Sequence, residues 1–355
     1  MKKIILTGGG TAGHITPNIA LVPGLKQAGF EIYYIGLLGG MEEKLVEKLD
    51  VTFYGISGGK MRRYIDIKNV TDLFKISKGF FQAKALIKKL RPDVVFSKGG
   101  FVSTPVVWAA RSLGVPVVSH ESDMTIGLAN KLAMPFVKKI CYNFPETKAS
   151  IPENKGVHTG LPIRSELLLG IRARGLSECG FNSSKPVIVA IGGSQGSQFI
   201  NNLLRTSLDG LLNNFQVCHL CGKGNFDEKF DNREGYRQFE YVNEKLPDII
   251  AMADVVVTRG GATSLFELLA LKKPHVIIPY SLKASRGDQI INAASFKKQG
   301  FSEVLAENEL DMKTFINTLI EVYNNKNRYI ATMEKSDARN GLENVLKVIF
   351  EVAGV

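Results

Sequence analysis

The sequence predicts an α/β protein made of two doubly wound, Rossmann-like domains. Short runs rich in Val, Ile and Tyr alternate with longer helical patterns along all 355 residues, and such near-continuous apolar strands indicate parallel sheets covered on both faces. The length favours two domains over one. The halves also repeat a motif, since DVVFSKGG at 93–100 is matched by DVVVTRGG at 254–261. Two similar sheets in tandem explain this repeat better than one long sheet.

Nine apolar segments are predicted as strands. In the first half they are KIILT, EIYYIGL, DVVFSKGG, PVVSH and KKICYNF, and in the second PVIVAIGG, QVCHLCG, ADVVVTRGG and HVIIPY. Gly160 and Pro162 interrupt the pattern between the halves. We therefore expect an N-terminal domain at 1–161 and a C-terminal domain at 162–337, with a final helix within 338–355 packing back on the first domain.

The charge of the chain is unevenly distributed. Residues 1–160 hold 22 Lys and Arg against 12 Asp and Glu, whereas the rest holds 23 against 22. A basic N-terminal half indicates an anionic partner. Charge alone does not distinguish a membrane surface from a nucleic acid or a phosphorylated substrate. No apolar run approaches the roughly 20 residues that span a bilayer. The four cysteines include one CxxC, at 218–221, and suit a reducing cytosol.

The first glycine-rich loop, GGGTAGH at 8–14, follows the first predicted strand. Its GxGxxG spacing is typical of dinucleotide binding. However, the second strand does not end on the acidic residue that would hold a ribose, and the first acid after that end is Glu42. An NAD or FAD enzyme and a purely structural tight turn are the alternatives. His14 follows the loop at the presumed helix start, where a positive helix end favours the neutral imidazole that a general base requires.

Two further glycine loops are predicted in the second half. Gly192–Ser197 opens a helix and offers backbone N–H groups and the Ser194 hydroxyl to a pyrophosphate. Arg259–Ser264 opens another helix, on which Glu267 can accept hydrogen bonds from a ribose. Helix capping by Thr263 and Glu267 is the alternative interpretation. Glycine loops in both domains predict a cleft with a ligand on each side, which favours group transfer between two bound molecules.

Seven motifs occur in order over nearly the whole chain: GGGTAGH, KGGFVSTP, HESD, GLPIR, GGSQGS, RGGATSLFEL and SRGDQIINA. Together they resemble the MurG family of GT-B glycosyltransferases. The resemblance implies two Rossmann-like domains facing across a cleft and an inverting, metal-independent transfer of GlcNAc from UDP-GlcNAc to the C4 hydroxyl of MurNAc in lipid I, giving lipid II of peptidoglycan synthesis. It implies no cofactor and no nucleic-acid partner. A diacylglycerol glycosyltransferase, a UDP-GlcNAc 2-epimerase and a non-catalytic lipid-binding protein of the same fold remain alternatives.

The resemblance also implies roles for individual residues. Donor binding falls mainly to the C-terminal domain, with Arg164 and Ser194 at the UDP, Glu267 at the ribose, Val242 beside the uracil and Gln289 at the GlcNAc hydroxyls. The full donor-binding set is Thr11, Ala12, Gly13, Arg164, Ser194, Gln195, Val242, Ala262, Thr263, Glu267 and Gln289. The first three of these residues would line the junction of donor and acceptor.

The catalytic base is expected in the N-terminal domain, which the resemblance assigns to the acceptor. His14 is the favoured base, and Glu121 and Asp123 compete with it at the end of another predicted strand. Asp123 stands where many relatives have asparagine, and Asp288 stands where some have a second glutamine. Glu121-x-Asp123 also resembles a minimal metal motif, but further ligands are not evident, so we expect no metal.

A basic and aromatic segment predicts how the chain meets a membrane. Residues 60–91 hold ten Lys and Arg against two Asp and Glu. An apolar helical stripe is formed by Leu73, Ile76, Phe80, Ala83, Ile87 and Leu90. Phe74 and Phe81 lie off this stripe, next to Lys75 and Lys78. These four predict peripheral attachment to an anionic membrane surface, which the resemblance implies to be the cytoplasmic face of the bacterial cell membrane. Core packing with a solvated basic face is the alternative.

Overall fold

The computed structural model describes residues 1–59, 68–193, 195–231, 233–282 and 287–355. The chain divides into two compact units: unit 1 is Met1–Arg164 with Asn340–Val355, and unit 2 is Ser165–Arg339. The boundaries expected from the sequence lie after residues 161 and 337. Each unit is built on a parallel sheet, so the predicted pair of doubly wound α/β domains is confirmed.

Unit 1 contains a sheet whose strands are β1 (Lys3–Thr7), β2 (Glu31–Leu37), β3 (Thr52–Ile56), β4 (Val94–Ser97), β5 (Val117–Glu121), β6 (Lys139–Tyr142) and β7 (Gly156–His158). The helices that precede unit 2 in the chain are α1 (Ala12–Gln27), α2 (Met41–Val46), α3 (Lys68–Leu90), α4 (Ser103–Ser112) and α5 (Leu128–Ala133). The strand order is β3-β2-β1-β4-β5-β6-β7. The order reverses between β1 and β4, the position where open α/β sheets bind ligands.

Unit 2 repeats this design with the strands β8 (Val187–Ile191), β9 (Gln216–Leu220), β10 (Tyr236–Phe239), β11 (Val255–Thr258), β12 (His275–Ile277) and β13 (Ser302–Val304). Its helices are α6 (Arg172–Cys179), α7 (Gln198–Thr206), α8 (Leu208–Leu212), α9 (Leu246–Met252), α10 (Ala262–Ala270), α11 (Asp288–Lys298), α12 (Met312–Asn324) and α13 (Lys326–Glu334). The order is β10-β9-β8-β11-β12-β13, with the reversal between β8 and β11.

The core of unit 1 lies on both faces of its sheet. Ile5 belongs to a cluster with Ile87 of α3 and Val106 of α4. Its strand neighbours Ile4 and Leu6 belong to a second cluster on the other face. Successive side chains of a strand point to opposite faces, so a strand that is covered on both sides reads as a continuous apolar run.

The last helix, α14 (Gly341–Ala353), completes the core of unit 1. Phe350 stacks on Phe30 with 5.8 Å between ring centroids, and Ile349 is fully buried in the cluster that contains Ile4. A Cβ at Gly24 of α1 would lie 2.5 Å from Cδ1 of Leu346. The glycine therefore lets the two helices approach closely.

Candidate active site

The glycine loop Gly8–Gly13 lies at the carboxyl end of β1 and leads into α1. Gly100, which follows β4, has a φ of +86°. A Cβ at Gly100 would collide with the carbonyl oxygen of Gly9. Glycine at position 100 therefore allows the loops after β1 and β4 to meet at the switch point of the sheet.

His14 lies in the first turn of α1, where the sequence analysis placed it. Its Nδ1 is 3.2 Å from the Gly9 carbonyl oxygen and 3.2 Å from Oγ1 of Thr11. Because a carbonyl only accepts, the contact with Gly9 requires the proton on Nδ1 and leaves the lone pair on Nε2. Among the described residues, Nε2 has no hydrogen-bond partner. This tautomer suits a group that takes a proton at Nε2.

The imidazole of His14 is neutral at pH 7. Burial, and after it the positive charge of Lys98, lower the pKa of His14 to about 4, against a weaker opposing effect of the Gly9 hydrogen bond. The expectation of a neutral histidine is confirmed. The physical cause differs from the one expected, because desolvation outweighs the other causes and the sequence argument relied on the helix N-terminus.

Lys98 is a buried lysine that is not among the predicted site residues. Only 1% of it is exposed, and its Nζ donates to Oγ of Ser122. Burial lowers the pKa of Lys98, while the nearby carboxylates of Glu121 and Asp123 raise it. A lysine directly after the apolar strand DVVFS was the signal available in the sequence. Lys98 thus brings a positive charge close to both sets of candidate bases.

Glu121 anchors the loop that follows β5. Its Oε1 accepts from the Asp123 N–H at 3.1 Å. Its Oε2 accepts from the Gly127 N–H and from Nδ2 of Asn130, each at 2.9 Å. These three hydrogen bonds, from its own loop and from α5, engage both side-chain oxygens of Glu121 and hold the side chain in place. Asp123 is half-buried beside it.

In unit 2 the loop Gly192–Ser197 connects β8 to α7, and Ser194 lies outside the described residues. Ser197 is the N-cap of α7, and its Oγ accepts from the Ile200 N–H at 3.2 Å. Gln195 is exposed, and its carbonyl accepts from Nδ2 of Asn225 at 3.2 Å. The described part of the loop therefore places the exposed Gln195 next to the start of α7, and helix starts of this kind bind pyrophosphate.

Helix α10 begins at Ala262 with Gly261 as its N-cap, and no side chain caps it. A capping box would need Thr263 at the N-cap position, whereas Thr263 is the second residue of the helix. Thr263 therefore does not occupy the N-cap position that a capping box requires. Glu267 lies in the second turn and is half-buried, while Ala262 is buried.

Gln289 is the second residue of α11 and joins two loops of unit 2. Its Oε1 accepts from the Gly260 N–H at 3.2 Å and from the Tyr280 N–H at 3.3 Å. Within the described ranges its Nε2 has no partner, so this amide can donate to a ligand. Val242 is buried in the core of unit 2. Mainly its backbone is therefore left to contact the uracil nucleobase. Arg164 is half-buried at the end of unit 1.

The predicted membrane residues lie on α3. Phe74 and Phe81 are 73% and 68% exposed, whereas Ile76, Ala83, Ile87 and Leu90 are buried. The expected exposure of the two aromatic side chains is confirmed. Lys75 and Lys78 are also exposed. Residues 60–67 and the Leu73 side chain lie outside the described part, in which no helix has the length and apolar character to cross a membrane.

The expectation that no metal is bound concerns the same described ranges. There, no three His, Cys, Asp or Glu side chains are grouped so that they could hold a metal ion. In the minimal Glu-x-Asp motif, both side-chain oxygens of Glu121 accept hydrogen bonds from its own loop or from α5.

Both units match known domains in sequence. Residues 4–142 match the N-terminal domain of glycosyltransferase family 28, and residues 187–349 match its C-terminal domain. The chain belongs to glycosyltransferase family 28. This membership makes the chain a glycosyltransferase. The two alternatives of an NAD or FAD enzyme and of a non-catalytic lipid-binding protein are therefore set aside.

Relatives in family 28 are similar along their whole length. A UDP-N-acetylglucosamine–N-acetylmuramyl-(pentapeptide) pyrophosphoryl-undecaprenol N-acetylglucosamine transferase of Clostridium botulinum is 55% identical over 98% of this chain and 99% of its own. The enzyme of that name from Clostridium tetani is 53% identical over 98% and 97%. The crystal structure of Acinetobacter baumannii MurG has a TM-score of 0.77 at 24% identity, covering 99% of this chain and 100% of that one. The resemblance to the MurG family and the predicted fold are confirmed.

Proposed function

We propose that this family 28 enzyme transfers N-acetylglucosamine from UDP-GlcNAc to the C4 hydroxyl of MurNAc in undecaprenyl-pyrophosphoryl-MurNAc-pentapeptide, the step that makes lipid II. The observation that carries the proposal is the 55% identity, over 98% of the chain, to a relative named for this transfer. The switch-point loops of both units support it, because they supply a candidate base in unit 1 and candidate donor ligands in unit 2.

His14 is the proposed general base. Its Nε2 takes the proton of the acceptor hydroxyl as that oxygen bonds to the anomeric carbon of GlcNAc. The bond from this carbon to the β-phosphate oxygen breaks on the opposite face, and UDP leaves with the electron pair, so the configuration inverts. Binding of an anionic acceptor near His14 raises its pKa towards the working pH, which favours proton transfer.

Unit 2 is proposed to supply most of the donor site, and Arg164 and the first glycine loop of unit 1 the rest. Backbone N–H groups at the starts of α7 and α10 and the side chains of Arg164 and Ser194 would offset the charge of the pyrophosphate without a metal. Glu267 would accept from the ribose hydroxyls, Val242 would contact the uracil through its backbone, and Nε2 of Gln289 would donate to GlcNAc. The remaining proposed donor contacts are Thr11, Ala12, Gly13, Gln195, Ala262 and Thr263.

Unit 1 is proposed to attach peripherally to the cytoplasmic face of the bacterial membrane. Exposed Phe74 and Phe81 would insert at the level of the headgroups, and Lys75 and Lys78 would contact anionic lipids. This surface would bring the enzyme to its lipid-linked acceptor. The proposed role of the basic charge of unit 1 is to contact anionic lipid, and no nucleic acid is proposed as a partner.

The decisive assay mixes purified protein with UDP-GlcNAc and a lipid I analogue and follows UDP release. We expect release that depends on the analogue, with GlcNAc found on the product. Conversion of UDP-GlcNAc without any acceptor would indicate a 2-epimerase instead. Transfer to diacylglycerol in place of the lipid I analogue would contradict the proposed acceptor.

A further inference from the structure

Arg259 is buried directly after β11 and contacts two other loops of unit 2. One terminal nitrogen, Nη2, donates to Oγ of Ser197, the N-cap of α7. The other, Nη1, donates to the Ile278 carbonyl at 2.8 Å. The guanidinium carbon lies 4.1 Å from the centroid of the Tyr280 ring. A single side chain therefore connects the loops that follow β8, β11 and β12.

Glu307 neutralises this buried guanidinium. Its Oε1 lies 2.6 Å from Nη1 of Arg259, and the two side chains are only 6% and 12% exposed. Its Oε2 accepts from the Ser281 N–H at 3.1 Å. A buried charge that loses its partner is strongly unfavourable, so each of the two side chains depends on the other for its position.

We propose that the Arg259–Glu307 ion pair positions the three donor-side loops of unit 2 relative to one another. This inference rests on the proposed function, because these loops carry or adjoin the residues assigned to UDP-GlcNAc. Ser197 ends the glycine loop 192–197, and Arg259 begins the loop that opens α10. The segment 278–282 is joined to the second loop through Gln289. Arg259 and Glu307 act through these loops, as positioning residues.

The loops need such a connection for a physical reason. The sheet fixes the ends of β8, β11 and β12, but glycine-rich loops have few side chains with which to pack on each other. A ligand that is held by three loops requires all three in register. Misplacement of a binding group by about 1 Å is enough to reduce the rate about 100-fold.

Glu307→Gln tests the inference, because it keeps the size of the side chain and removes its charge. The matched control is Glu334→Gln in the same unit, where Glu334 pairs with Lys272 at 2.9 Å on the surface, with both side chains well exposed. UDP binding is measured by calorimetry on the full-length protein, together with KM for UDP-GlcNAc and for a lipid I analogue.

We expect Glu307→Gln to weaken UDP binding and to raise KM for the donor about 10- to 100-fold, by analogy with the loss of residues that support metal ligands. KM for the acceptor should stay near the wild-type value, and Glu334→Gln should match wild type throughout. Arg259→Lys should weaken donor binding less than Glu307→Gln, because it keeps the charge but loses the planar fork.

A folded Glu307→Gln protein that binds UDP within twofold of wild type would overturn the inference. If Glu307→Gln does not fold, UDP binding by Arg259→Lys is measured instead. Wild-type donor affinity in Arg259→Lys would then overturn the inference. A wild-type protein that binds no UDP would overturn the proposed function and this inference together. UDP binding by wild type with no effect of either variant would overturn the inference alone.

Discussion

Lys98 and Arg259 occupy the same position in the two sheets. Each directly follows the strand that lies across the switch point from the glycine-loop strand, β4 in unit 1 and β11 in unit 2. Each is buried, with 1% and 5% of the residue exposed. Each also donates to a serine, Ser122 and Ser197 respectively. The repeated sequence motif therefore occupies equivalent positions in the two sheets. In unit 1 it places the charge of Lys98 near the candidate base, and in unit 2 Arg259 connects three loops.

His14→Ala should reduce kcat by about 10²–10⁴, the range for loss of a general base. Its affinity for UDP should remain near wild type, since the proposed donor contacts lie mainly in unit 2. Steady-state kinetics and calorimetry measure the two quantities. His158→Ala, on the edge strand β7, is the control and should keep kcat. If His14→Ala keeps kcat within a few-fold while Asp123→Ala abolishes it, the base is the carboxylate.

The dependence of kcat/KM on pH should report the low pKa of His14. The base must be neutral, and its pKa is about 4, so kcat/KM should stay level from pH 8 to 5 and fall only as the pH approaches 4. An unperturbed histidine would lose activity near its ordinary pKa of about 6.5.

Lys98→Met should move the fall of kcat/KM at acid pH, the acid limb of the profile, to higher pH. The substitution removes a positive charge that lowers the pKa of His14, and burial, the larger cause, remains. The limb should therefore stay below the ordinary range of histidine. Lys131→Met, at an exposed lysine of α5, is the control and should leave the profile unchanged. An unmoved limb in folded Lys98→Met would mean that the titrating group is not His14.

Glu267→Ala should weaken UDP-GlcNAc binding more than acceptor binding. Loss of a hydrogen bond to a charged group costs about 1.5–3 kcal/mol, which corresponds to about 10- to 150-fold in Kd. Glu267→Gln retains an accepting oxygen and should lose less. Calorimetry with UDP-GlcNAc compares both variants with wild type, and unchanged affinity in a folded alanine variant would assign Glu267 a structural role.

Transfer should continue in excess EDTA. In the proposed donor site, helix starts and Arg164 offset the charge of the pyrophosphate, so no divalent cation is needed to bind it. The rate of UDP release with and without chelator measures this. Loss of activity that magnesium or manganese restores would contradict the prediction.

A Phe74→Ser/Phe81→Ser variant should float less with liposomes that contain anionic lipid. The flanking cations should each contribute about 1 kcal/mol near the surface, a contribution that salt weakens. Leu168→Ser/Leu169→Ser replaces two exposed apolar side chains of unit 2 and is the matched control, expected to float like wild type. Equal flotation of all three proteins would contradict the prediction that the two phenylalanines contact the membrane.

Sequence reasoning identified the interior strands and missed the edges. The nine segments predicted as strands correspond to the interior strands of the two sheets, while the unpredicted β3, β7, β10 and β13 are the edge strands. β7 shows the reason, since none of its three residues is buried. A strand that is partly open to water needs no continuous apolar run, so its pattern does not differ from that of a loop.

Site residues divide in a similar way. The glycine loops and His14 could be found because their function depends on local backbone geometry. The partner of Arg259 could not, because Glu307 lies 48 positions later in the chain and its neighbouring sequence carries no motif. Pairings of this kind depend on the fold of the whole unit.

The return of α14 to unit 1 has a consequence for biosynthesis. Unit 2 is interposed within unit 1, so the ribosome releases all of Ser165–Arg339 before the residues that complete the first core. Phe30 and its neighbours must wait, with apolar surface uncovered, for Ile349 and Phe350. Nascent chains that end before Gly341 should therefore bind chaperones through unit 1 even when unit 2 has already folded.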